Sequence, residues 1–206
     1  MNALDTLDCE VLVLGIGNLL WADEGFGVRC VEQLAAEWEL PPGITVMDGG
    51  TQGLYLLPYV QAARRLIVFD AIDYGLEPGT MKRVEGDEVP RFMGAKKMSL
   101  HQTGFQEVIS AADLTGQLPE SLLLIGVQPE ELEDYGGSLR PAVKARLGDA
   151  VAMAVAQLQD WGHAVEPCAQ KVGAGGTALT MAAYEAGRPS AEAACRFGDE
   201  RFIAAT

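Results

Sequence analysis

Three short, almost unbroken apolar runs constrain this chain most: Val11-Leu12-Val13-Leu14-Gly15, Leu66-Ile67-Val68-Phe69-Asp70 and residues 121–126. A strand with one wet face alternates apolar and polar residues, so runs like these belong to strands covered on both faces, as in parallel sheets. Segments of helical period lie between them. Phe26, Val31, Leu34 and Ala35 mark a helix over 25–38 that Pro41-Pro42-Gly43 stops, and Val143, Leu147, Val151, Val155 and Leu158 mark a long amphipathic helix over 139–161. A second strand is expected at 44–47. A short helix over 54–63 should be interrupted or kinked around Pro58. Residues 80–84 are more polar and are reached through the Pro78-Gly79 turn without a helix, which suits an edge strand compatible with antiparallel pairing. The pattern predicts an α/β fold: one domain with a twisted, mostly parallel sheet flanked by helices on both faces.

That domain is expected to span 1–164. Residues 165–206 are rich in Ala, Gly and Pro, and read as a C-terminal tail in which Gly173-Ala174-Gly175-Gly176 resembles a linker and 190–196 could form one short helix. With 15 basic against 29 acidic residues the formal charge is −14, which repels nucleic acid and anionic lipid. No apolar run approaches the ~18 residues of a membrane span, and the start lacks the basic-then-apolar order of a signal peptide, so the expected compartment is the cytoplasm. The cysteines at 9, 30, 168 and 195 form no Cys-x-x-Cys pair, and Cys30 falls within an apolar helical pattern as a core residue rather than a nucleophile.

In open α/β sheets, ligands bind beyond the carboxyl ends of the strands. Glu24 lies in the loop after the first strand, Asp70 ends a later one, and His101 opens a helical segment after the polar loop Lys96-Lys97-Met98-Ser99. Two carboxylates and an imidazole suit a divalent transition metal, in a metal-dependent enzyme or a metal-sensing protein. Bland readings stand beside this one. An acid at a strand end is often a turn-former, and of the adjacent pair Asp23-Glu24, Asp23 is the better helix cap and Glu24 the better ligand. His163 reads as a residue at the C-terminal end of the long helix with no catalytic role. Gly15-Ile16-Gly17 has the start of a dinucleotide fingerprint, but Leu20 replaces the third glycine and the acids at 23 and 24 would repel a pyrophosphate.

Taken together, Gly15-Ile16-Gly17-Asn18, Asp23-Glu24-Gly25-Phe26-Gly27-Val28, Asp48-Gly49-Gly50-Thr51, Asp70-Ala71-Ile72-Asp73, Lys96-Lys97-Met98-Ser99-Leu100-His101-Gln102 and Asp134-Tyr135-Gly136-Gly137-Ser138-Leu139 resemble the nickel–iron hydrogenase maturation endopeptidases, in particular those serving membrane-bound uptake hydrogenases. The likeness spans roughly 10–162. It implies a protease that removes the C-terminal extension of a hydrogenase large-subunit precursor after nickel insertion. Glu24, Asp70 and His101 would be the metal-engaging and catalytic residues. Asp48, Gly49 and Gly50 would handle substrate. The nickel would come with the substrate, and the partners would be the precursor and an assembly chaperone. Rival readings are a non-catalytic nickel-binding assembly chaperone and a nucleotide-binding α/β enzyme.

Overall fold

The computed structural model describes residues 9–90, 100–169 and 180–187, with the side chains of residues 100–104 outside that description. The chain begins with β1 (Cys9–Ile16), a 3-10 turn (Ala22–Gly25), α1 (Phe26–Glu37), β2 (Trp38–Glu39) and β3 (Ile44–Gly50). A second 3-10 turn (Gly53–Leu56), α2 (Leu57–Ala62), β4 (Ala63–Ala71), β5 (Met81–Glu85) and α3 (Leu100–Leu114) follow. Then come β6 (Ser121–Val127), α4 (Pro141–Lys144), α5 (Leu147–Asp160), β7 (Glu166–Pro167) and α6 (Met181–Gly187).

The main sheet has the order β3-β1-β4-β6-β5. Its first four strands are parallel, and β5 closes one edge antiparallel to β6. Alternate residues of each apolar run feed opposite cores. Val11, Val13, Ile67, Phe69, Leu123 and Ile125 pack with side chains of α1 and α5. Leu12, Leu14, Leu66, Val68, Leu122 and Leu124 pack with Val60 of α2 and Phe105, Val108 and Ile109 of α3. Both faces are therefore dry, which is what the unbroken apolar runs required.

Several boundaries differ from the sequence expectation for identifiable reasons. Pro58 lies in the first turn of α2, where its missing N–H costs nothing, so the 3-10 turn and α2 meet there instead of one helix kinking. The helix expected over 139–161 is two helices. Its apolar stripe runs through the break from Val143 to Leu147, so periodicity could not reveal the interruption. Past residue 164, β7 pairs with β2, the Cys168 N–H donates to the Glu37 carbonyl at 2.8 Å, and α6 lies on the body of the protein through Met181. The linker-like glycines at 173–176 and the helix expected over 190–196 lie outside the described residues.

Strand order reverses between β1 and β4: the chain leaves β1 through α1 towards β3, then crosses back through α2 to β4. The carboxyl ends of β1 and β4 therefore flank the crevice where doubly wound sheets bind ligands.

Candidate active site

The loop after β1 folds tightly back onto the sheet. Gly17 has φ +133°, and a Cβ there would stand 1.8 Å from the Glu24 carbonyl oxygen. A Cβ on Gly27 would stand 2.3 Å from the carbonyl oxygens of both Ile16 and Phe69. Only glycine permits these approaches, and they set the 22–25 turn against β4.

Glu24 is 8% exposed and Asp70, at the end of β4, is 1% exposed. Burial pushes the Glu24 carboxyl from its ordinary 4.5 up to about 7. A group protonated more readily when folded stabilises the fold fully below its unfolded value and loses that contribution as pH rises through the folded one. Stability measured by denaturant without metal should therefore fall from about pH 4.5 to about 7 and then level off. Glu24→Gln should remove this slope and gain roughly 2 kcal/mol over the parent above pH 7. Equal stability of the two proteins at pH 8 would contradict the burial argument.

Asp23 does not cap a helix. Neither the 22–25 turn nor α1 has a side-chain cap. Asp23 is 0% exposed and accepts three backbone N–H bonds across the sheet end: Oδ2 from Glu130 at 2.8 Å and Glu131 at 2.9 Å, and Oδ1 from Arg140 at 2.6 Å. These partners lie more than a hundred residues away in sequence, so local capping rules could not have found them. They knit the loop of Glu24 to the segment after β6. Trp21 adds an edge-on ring contact with Tyr135 at 5.3 Å, and the Gly136 N–H donates to the Leu20 carbonyl at 2.7 Å. Asp23→Ala would remove three charge-assisted hydrogen bonds from part-buried backbone donors and should cost on the order of 3 kcal/mol in a denaturant titration. A loss under ~1 kcal/mol would contradict the clamp.

Around Asp70 the site gains residues the sequence did not single out. Gln128 holds the loop after β4: its Oε1 accepts the N–H groups of Tyr74 at 2.7 Å and Leu76 at 3.1 Å, and its Nε2 donates to Asp73 Oδ1 at 3.0 Å. Asp70 is registered across the sheet with Gly126, whose missing side chain makes room for the Tyr74 hydroxyl. Burial, with the negative charge of Asp70, holds the Tyr74 phenol well above its usual range.

Asp48 sits elsewhere. It lies near the end of β3 at a bulge, where Gly15 pairs with Asp48 and Ile16 with Gly50, leaving Gly49 over as a buried residue beside Ile16 and Leu56. Asp48 is exposed and lines a cleft of about 340 Å³ with Gly17, Asn18, Leu19, Leu20, Val28, Gly50 and Thr51. Partial desolvation raises its carboxyl, while the Gly50 backbone N–H and the charge of Arg29 draw it back. Two strand spacings separate it from β4, about 10 Å.

His101 is placed by its backbone. Just past the C-terminal end of α3, Thr115 Oγ1 accepts from Gln61 Nε2 at 3.0 Å, next to the start of β4 and opposite the acids. The fifteen residues of α3 span about 22 Å, so its first turn reaches the carboxyl end of the sheet. The side chain of His101 and the Lys96-Lys97-Met98-Ser99 loop lie outside the described residues. Among described side chains, no cluster of three metal-ligating groups is formed. His163 follows α5 in a turn, with Nε2 3.8 Å from Glu10 Oε1 at the amino end of the sheet. Cys30 is fully buried in α1, and burial pushes its thiol well up, away from nucleophile chemistry.

A doubly wound sheet with buried acids at its switch point defines an α/β protein with a ligand crevice at the strand ends, and comparison gives the family. The hydrogenase maturation protease model (HycI) matches residues 28–157. The chain is 57% identical over 200 residues to the hydrogenase expression/formation protein HupD of Thiocapsa roseopersicina, covering 95% of this chain and 90% of that one. It is 56% identical over 197 residues to HoxM of Cupriavidus necator, covering 94% and 98%. The solved hydrogenase maturating endopeptidase HybD of Escherichia coli superposes with a TM-score of 0.72 at 40% identity, over 77% of this chain and 97% of that chain. This chain belongs to the hydrogenase maturation protease family. The likeness to HupD and HoxM reaches well beyond residue 162, into the segment after the α/β body.

Proposed function

We propose that this protease removes a C-terminal extension from a nickel–iron hydrogenase large-subunit precursor once nickel is inserted, with Glu24, Asp70 and His101 engaging the nickel that the substrate carries. The observation that carries the reading is the pair of buried acids at the β1/β4 switch point. Glu24 resists ionisation there, and a cation arriving with the substrate would remove that resistance and make both carboxylates ligands. A divalent ion held by Glu24 and Asp70 would supply Lewis-acid polarisation of the scissile carbonyl or activation of a water. The chain's own part is to hold the acids dry and fixed, through Asp23 on one side and the loop anchored by Gln128 on the other.

The surroundings suit a polypeptide substrate. Leu20, Leu54, Tyr55, Leu76 and Tyr135 are exposed large apolar side chains, and all stand on loops that leave the carboxyl ends of the parallel strands. Of the exposed large apolar side chains described, only Leu114 lies elsewhere, at the far end of α3. An apolar rim around buried acids is the form of a protein-docking surface. Asp48 and Gly50 border the adjoining cleft and, with Gly49 between them, would handle the extension. The precursor, with its assembly chaperone, would be met in the cytoplasm; no described helix is long and apolar enough to cross a membrane. The test is incubation with nickel-loaded precursor followed by mass spectrometry of the large subunit. A shortened C-terminus supports the protease reading, and an intact subunit bound stably to the protein would favour the nickel-binding chaperone.

A further inference from the structure

The segment beyond β7 touches the chain on both sides of the Asp23 clamp. The Ser138 hydroxyl donates to Glu185 Oε1 at 2.9 Å, and Lys144 Nζ donates to both Glu185 oxygens at 2.7 and 2.9 Å. Ser138 is two residues from Arg140, whose N–H holds Asp23 and whose guanidinium donates to Asp134 at 2.8 Å. On the other side, Tyr184 lies 6.0 Å below the guanidinium carbon of Arg29. Arg29 is buried in α1, the helix that starts directly after the Glu24 turn. The Lys144 hydrogen bond, helped by the charges of Lys144 and Arg29, holds the Glu185 carboxyl below its ordinary value. Met181 adds an apolar contact with the α1/α5 core. Nearly the whole Escherichia coli chain is matched by 77% of this one, whereas the Thiocapsa relative matches 200 residues. The alignment with the Thiocapsa relative is thus long enough to take in the segment that holds α6.

We propose that α6 is a brace for the active site and that Glu185 is a positioning residue, holding the 134–140 segment so that its backbone keeps Asp23, and with it the Glu24 turn, in place. The part that concerns cleavage rests on the protease reading above. The bracing itself does not, so two readouts separate them.

The first readout is hydrogen exchange in the full-length protein. Glu185→Ala should speed exchange of the Glu130, Glu131 and Arg140 amides by about tenfold, with the amides of β1 and β4 unchanged. Glu185→Gln, which still accepts from Ser138 but loses the ion pair, should give a smaller increase. The second readout is precursor cleavage: kcat should fall about fivefold for Glu185→Ala with KM little changed, and Glu185→Gln should recover part of it. Unchanged exchange at the three amides, or a uniform rise across the sheet, overturns the brace. Faster exchange with unaltered kcat overturns the positioning role while leaving the brace. Should no form of the protein cut precursor, the exchange result alone still decides the brace.

Discussion

Asp70→Asn is expected to reduce precursor cleavage on the order of a hundredfold or more while leaving the protein folded. Asparagine has the shape of aspartate, so the packing at the end of β4 survives, but an amide carries no charge and is a poor ligand. At 1% exposure, removing the charge from this site should not lower the melting temperature. Glu24→Gln should lose activity in the same way, and His101→Ala likewise if the first turn of α3 delivers its imidazole to the acids. Cys30→Ser is the informative contrast. Its thiol is buried in the apolar core that α1 shares with the sheet and α5, so the serine hydroxyl should cost about 1–2 kcal/mol of stability and leave kcat near the parent value. The measurement is kcat/KM on nickel-loaded precursor beside a thermal melt for each variant. An active Asp70→Asn protein would remove the acid from the mechanism, and a folded but inactive Cys30→Ser protein would redirect it to a thiol nucleophile.

What could be read in advance was whatever depends on neighbours close in sequence. The apolar runs at 11–15, 66–70 and 121–126 specify dry strands on their own, and the polar, helix-free approach to residues 81–85 specifies an edge strand. Glu24 and Asp70 were legible as candidates because strand ends are local features and the sheet's switch point brings those ends together. Asp23 was misread as a cap because its three amide donors arrive from Glu130, Glu131 and Arg140, and nothing between residues 20 and 30 hints at them. Gln128 and Tyr74 escaped notice for the same reason: a glutamine following an apolar strand acquires meaning only once the loop after β4 folds over it. The pairing of β2 with β7 involves two residues a side, too short for any periodicity to show. The contacts of α6 are a few polar bonds and one ring beneath an arginine, in a segment whose composition gave no sign of packing.

The second large effect concerns the source of the metal. If the acids and His101 form an incomplete site that substrate-held nickel completes, purified protein should bind nickel weakly and keep none in stoichiometric amount after mild chelation. Free zinc should not replace prior loading of the substrate, because the ion has to mark the precursor as well as meet the carboxylates. The decisive measurement is mass spectrometry of the large subunit's C-terminus after incubation with the protease, using precursor prepared with and without nickel. The loaded precursor should lose its extension and the unloaded one should remain full length. Equal cleavage of the two would contradict recognition through substrate-held nickel and point to a peptidase that carries its whole catalytic apparatus itself.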